Sequence, residues 1–207
     1  MKQIGEKADV VIAKLEKFDF KSGNKIGENT IFSDNMIEDY FTGKISFYVC
    51  GPLWKRSFLN QQLELFDENI RNLDDWDFNL RMLYQKPNIV YIDMPLIQYR
   101  FHEHSLSKEI YYLNFEELNS KFNALEKHIE LIKKNKEVNL FILKKFITNR
   151  YKFILRIALV QDNNNKLYFF KKLLLSQLKI FDFIGIMKTI CGYISFRLFN
   201  RAYFFLK

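Results

Sequence analysis

The segment SLSKEIYYLNFEELNSKFNALEKHIELIKK (105–134) contains no glycine and no proline, and its apolar residues recur at helical spacing. Ser105 or Ser107 is available there as an N-cap. The helical texture then continues to the end of the chain, broken at QDNNNK (161–166). Any sheet must therefore come from the residues before His104. There the pattern changes: ADVVIAKLEKFDF (8–20) reads as a strand entered from a short helix, and KSGNKIGENT (21–30) as a loop. FSDNMIEDYFTG (32–43) reads as a short helix ending on glycine, and ISFYVCGPLWKRSFL (45–59) as a buried strand, a Gly-Pro turn and a brief helix from about Leu53. Trp76, Leu80, Leu83 and Tyr84 share one helical face closed by Pro87, with aspartates just before it. NIVYID (88–93) and LIQYRFH (96–102) are expected to be two short strands with Pro95 at the bend between them. The expected architecture is α/β: a mixed-sheet piece over residues 1–108, followed by an all-helical region over 109–207.

Composition narrows the function classes. A chain of 207 residues that is 48% hydrophobic can bury a core and is not a disordered protein. Cys50 and Cys191 lie far apart with no metal-ligand spacing around them, which suggests neither a disulfide framework nor a zinc site and fits a reducing cytoplasm. The N-terminal MKQIGEKADVVIAKLEKF scatters lysines through its apolar residues and does not read as a signal peptide. Net charge is +8, yet residues 1–140 carry 19 Lys+Arg against 22 Asp+Glu, while residues 141–207 carry 13 against 2. The same tail holds 15 of the 35 aromatics.

LDDWDFNLRM (73–82) places three aspartates at a helix start. Carboxylates there satisfy free N–H groups and sit favourably at the positive end of the helix dipole, for about 0.3–1 kcal/mol each. A chemical role is the competing reading, and the neighbouring segments favour it. Gly51 of CGPLWKRSFL comes first, then Phe66-Asp67-Glu68, then Asp74-Asp75 followed by Trp76-Asp77-Phe78-Asn79-Leu80-Arg81. Pro95-Leu96 and Tyr99-Arg100-Phe101-His102-Glu103-His104-Ser105-Leu106-Ser107 follow.

In this order and spacing, about Ala8 to Lys108 resembles the acceptor-side half of family 2 glycosyltransferases, nucleotide-diphospho-sugar-dependent enzymes of GT-A type fold. The resemblance implies inverting sugar transfer in cell-surface polysaccharide or glycolipid synthesis, with a divalent metal, Mg or Mn, at the leaving diphosphate. An acceptor hydroxyl needs a base to take its proton as oxygen attacks the anomeric carbon. The family's base is the second acidic residue of the pair, which maps onto Asp75. Asp74 then binds acceptor or supports the base, and Asp77 is a cap.

By the same resemblance His102 lies near the diphosphate and its metal, against the alternative of a strand-end histidine bonded to backbone. Arg100 either neutralises phosphate charge or pairs with a carboxylate such as Asp93. Trp76 and Trp54 either stack on acceptor sugar or pack in the core. His104 and His128 receive no role, His128 being set among helical charges.

The family's nucleotide-binding half, with its Asp-Asp-x-Ser and Asp-x-Asp type motifs, has no counterpart here. The expectation is an N-terminally truncated form, with most metal ligands in a nucleotide-binding half that is either lost or a separate polypeptide. For the tail, bulky apolar residues mixed with Lys and Arg, in no run long enough to span a bilayer, suggest peripheral attachment to the inner face of the cytoplasmic membrane beside a saccharide or lipid-linked acceptor. The competing readings are the core of a helical subdomain, a noncatalytic partner module and, less well supported, a nucleic-acid-binding module.

Overall fold

The computed structural model describes residues 7–101, 112–135 and 137–199. The chain divides into two compact units, Met1–Leu106 and Ser107–Lys207.

The first unit is built on β1 (Val10–Asp19), whose alternation buries Val10, Ile12, Ala13 and Leu15. One edge of β1 is shared by two antiparallel partners. β3 (Pro52–Trp54) pairs with Val10–Ile12, and β2 (Lys25–Glu28) pairs with Glu16–Phe18. The other edge is occupied in parallel by β4 (Ile89–Phe101) along the whole of β1. The sheet is thus mixed.

Three details depart from the sequence expectation. β2 lies inside the segment read as a loop, because Gly and Asn there make only the turn at Ser22–Asn24, and KIGE returns along β1. The strand of 45–59 follows the Gly-Pro pair instead of preceding it, since a proline is tolerated as the first residue of a strand. Residues 89–101 form one strand, not two. Ala13 faces Ile92, Lys14 faces Pro95 and Leu15 faces Ile97, so β4 bulges around Pro95, which has no N–H to give the ladder. The short helix expected before β1, and the Ser105 or Ser107 cap, lie outside the described residues.

Helix α1 (Met36–Thr42) ends on Gly43 in the left-handed conformation (φ 78°). After α2 (Arg56–Leu59) comes α3 (Asp74–Tyr84), which takes the aspartates into its first turn and buries Phe78, Leu80, Met82 and Leu83. Asp77 lies in that first turn. Its side chain is 0% exposed and pairs with Arg81 Nε at 2.8 Å. Arg81 then donates through its other nitrogens to the carbonyls of Glu64 (2.8 Å) and Leu65 (2.6 Å). With Phe66 stacked on Phe78 (centroids 4.9 Å apart), this fastens the preceding loop to the helix.

The second unit is helical, with breaks at more places than the single one expected. α4 (Phe115–Ile132) is capped by the Asn114 side chain accepting from Glu117 N, and it buries Leu118, Phe122, Leu125, Ile129 and Ile132 on one face. His128 is fully buried on that helix. α5 (Leu140–Val160) and α6 (Lys166–Leu178) flank the QDNNNK break, and α7 (Phe183–Phe199) follows. The Tyr151 ring stacks on Phe122 (3.8 Å) while its hydroxyl donates to Glu126, and Thr148 and Ser176 share a buried hydroxyl hydrogen bond (2.6 Å).

A buried pair that loses one partner leaves an uncompensated charge, worth roughly 3–5 kcal/mol. Asp77→Ala is therefore expected to lower the unfolding free energy by about that amount in chemical denaturation. A change below about 0.5 kcal/mol, the surface norm, would show that the pair is effectively solvated.

Candidate functional site

The gap on β1 between β3 and β2 positions the site. Ala13 N–H is directed at the Gly51 carbonyl (3.5 Å), and Leu15 N–H donates to the Asn29 side-chain oxygen (2.7 Å). The Asn29 amide donates on to the Ser46 carbonyl (2.5 Å), and Ser46 N–H to the Thr30 carbonyl (2.9 Å). Buried Asn29 thus holds both ends of the gap, and the segment 46–51 is laid across it. Gly51 N–H closes a turn onto the Tyr48 carbonyl (2.9 Å). A side chain at Gly51 would bring its Cβ to 3.1 Å from Phe47 Cβ, a tight approach that glycine relieves.

That turn presents Val49 N–H to the Asp75 carboxylate (3.3 Å). The backbone N–H groups of Trp76 and of Asp75 itself, at the start of α3, also pull its proton affinity down. Leu73, immediately before the helix, is held at φ 72°, a conformation bulky side chains rarely adopt, and its carbonyl accepts from Asp77 N–H (2.8 Å). Trp76 donates its indole N–H to the Tyr40 carbonyl (3.2 Å) and meets Phe41 edge-on, fixing α1 against this turn. Within, the Tyr40 hydroxyl donates to the Phe47 carbonyl (2.9 Å) and accepts from Asn79 (3.1 Å). The carboxylate is thereby aimed by a rigid frame.

Around it stand Tyr48 and Tyr99, stacked with centroids 5.0 Å apart, and the exposed Asp74 and Cys50. Burial, and next the charge of Asp74, hold the Asp75 carboxyl above the ordinary aspartate range, against the opposing pull of the three N–H groups. Burial followed by the Asp75 charge raises the Tyr48 hydroxyl, and Asp75 contributes in the same direction at Tyr99. A half-buried carboxylate with raised proton affinity, beside two aromatic rings with hydroxyl groups, can accept a proton from a bound hydroxyl compound.

The structure brings Asp74 and Asp75 together and gives Trp76 a packing position. Trp54 stacks on Phe58 (5.4 Å) and meets Phe78 edge-on. Arg100 follows Tyr99 on the same strand and so points to the opposite face, where its guanidinium lies 6.0 Å from the Phe20 ring centre. Asp93, considered above as a partner for Arg100, pairs instead with Lys14. His102 lies outside the described residues. Tyr48 and Val49 were not singled out by the sequence, which carries no periodic signal for a turn laid across a sheet edge. Tyr99 stands in a quoted motif, and strand alternation was its available signal. Among the described residues no group of three or more His, Cys, Asp or Glu side chains is placed to hold a metal ion. Comparisons with protein-family models, with curated proteins and with solved structures return no match.

The raised Asp75 carboxyl fixes a pH dependence. The folded state binds this proton more tightly than the unfolded chain, so its contribution to stability falls as pH rises from about 4, the ordinary aspartate value. Asp75→Asn, which keeps an acceptor for Val49 N–H, is expected to unfold at a higher temperature than the unsubstituted protein near pH 7. The gain should disappear below about pH 4. A loss of stability near pH 7 would mean that Asp75 serves the fold as an anionic cap.

Proposed function

We propose that the first unit is the acceptor-side part of an inverting, nucleotide-diphospho-sugar-dependent glycosyltransferase of GT-A type fold, with Asp75 as its base. What supports the reading is one coincidence at a single residue. The residue that the family resemblance marks as base is also the carboxylate whose burial raises its proton affinity while Val49 N–H donates to it.

In the reaction, an acceptor hydroxyl oxygen bonds to the anomeric carbon of the donor sugar as the bond from that carbon to the diphosphate breaks. The hydroxyl proton passes to Asp75. A carboxylate suits this displacement because it stands on the face opposite the leaving group and forms no covalent intermediate. Asp74 tunes Asp75 through its charge and can accept from a second acceptor hydroxyl. Tyr48 and Tyr99 supply ring faces on which sugars stack. Trp76 holds α3 to α1 in this reading, and its part in substrate binding is through that frame.

His102 belongs to the diphosphate side of the proposal, and Arg100, on the face of β4 opposite Tyr99, is left without a part in it. A divalent cation is also part of it, but the described residues gather no ligand set for one, so no step is assigned to it. The nucleotide-binding motifs of the family are not among these 207 residues, so donor binding falls to residues outside this sequence, on the same chain or a second one. A cytoplasmic setting, where sugar nucleotides are made available, goes with this reading.

The test separates acceptor from donor. Saccharides titrated into the isolated chain are expected to shift the amide resonances of Val49, Asp75 and Tyr99 while nucleotide sugars with Mn²⁺ do not, and Asp75→Asn should leave saccharide binding within about twofold, under about 0.5 kcal/mol. Nucleotide-sugar binding at this turn without any saccharide response would overturn the assignment.

A further inference from the structure

Helix α7 is turned inside out. Its buried residues are Thr189 and Gly192, whereas Ile184 (72%), Met187 (62%), Cys191, Ile194 (51%) and Leu198 (68%) are exposed. These five recur at intervals of three and four residues, so they form one continuous stripe along the helix. Phe181, Phe183 and Phe199 extend it at both ends, and Leu175 and Leu178 at the end of α6 are exposed as well. A helix whose apolar stripe faces outward while its small and polar residues face the core is positioned to bury that stripe against something else.

The aromatics of this tail therefore separate into two groups. Tyr151 and Phe169 form the core of the helical unit, and those at the ends of α7 lie outside it. The start of α7 is also firmly built. The Asp182 carboxylate accepts from Gly185 N–H (2.8 Å), and a Cβ on Gly185 would fall 2.0 Å from the same carboxylate.

We propose that α7 lies in the plane of an anionic lipid bilayer, with the Ile184, Met187, Cys191, Ile194, Leu198 stripe inserted among the acyl chains. Charge decides the occupant. Residues 141–207 carry 13 Lys+Arg against 2 Asp+Glu. Burial, and next the charges of Arg156 and of Lys188 on α7, depress Lys152 against the opposing pull of Asp182, so three cations gather near one carboxylate at the start of α7. A second copy meeting this face would bring two regions of like net charge together, whereas anionic headgroups complement the excess of cations.

The described residues of this helix, Phe183–Phe199, extend about 26 Å, against about 30 Å of hydrocarbon, and Lys188 and Arg197 interrupt them. No helix among the described residues is long and apolar enough to cross a membrane. The inference is independent of the sugar-transfer reading of the first unit.

The test is flotation of the full chain with vesicles of equimolar phosphatidylglycerol and phosphatidylcholine, compared with phosphatidylcholine alone. Binding to the anionic vesicles only is expected, weakened at high salt, and Ile184→Ser with Met187→Ser and Leu198→Ser should reduce it by about tenfold or more, with helical circular dichroism unchanged. Should that variant misfold, an environment-sensitive thiol fluorophore on Cys191 in a Cys50→Ser background gives a second readout, with a blue shift expected on anionic vesicles. No flotation and no blue shift would overturn the proposal. So would a dimer in solution that the triple substitution dissociates, or salt-dependent RNA binding without vesicle binding.

Discussion

The first unit depends on β1 having three partners but not a complete set. β4 fills one edge along its full length, while β3 and β2 cover only the two ends of the other. Backbone groups left open in the middle of a buried strand would be costly, about 1–3 kcal/mol for each unsatisfied donor. Ala13 and Leu15 meet that demand with the Gly51 carbonyl and the Asn29 side chain, which draws the 46–51 segment onto the sheet. The position of Val49 N–H, and so the point where Asp75 can be held, follows from a strand-pairing requirement.

The three aspartates at the start of α3 differ because they stand at different depths. Asp77 is fully buried and neutralised by Arg81, so its charge is part of the fold. Asp74 is exposed and acts on its neighbour through its field. Asp75 lies between them, desolvated without a cationic partner among the causes that shift it. A carboxylate that only stabilised a helix terminus would be expected to lose proton affinity, as the N–H groups alone would cause. The balance at Asp75 goes the other way, and with the left-handed Leu73 beside it the turn carries local cost that its stability does not explain.

Much of the chain was legible where period and breakers agreed. β1 announced itself by alternation, α1 by its terminal Gly43, and the α5 and α6 boundary by QDNNNK. What was not legible depended on tertiary partners. KIGE is short and polar and becomes a strand only because β1 offers an edge. Pro95 looked like a strand break and is absorbed as a bulge, since β4 is long enough to pair on both sides of it. The i,i+4 relation of Asp77 to Arg81 does not reveal that the carboxylate of the pair is buried. In α7, apolar on nearly every side, nothing in the sequence told the inward face from the outward one.

The central claim is that Asp75 is a base and not a cap, and the carboxyl titration of this one residue tests it most directly. Followed by carbon NMR of the side-chain carboxyl, Asp75 is predicted to titrate above the ordinary aspartate value of about 4, and to move back toward it when Asp74→Asn removes the neighbouring charge. A midpoint at or below that ordinary value, unmoved by Asp74→Asn, would make Asp75 a helix cap and contradict the account.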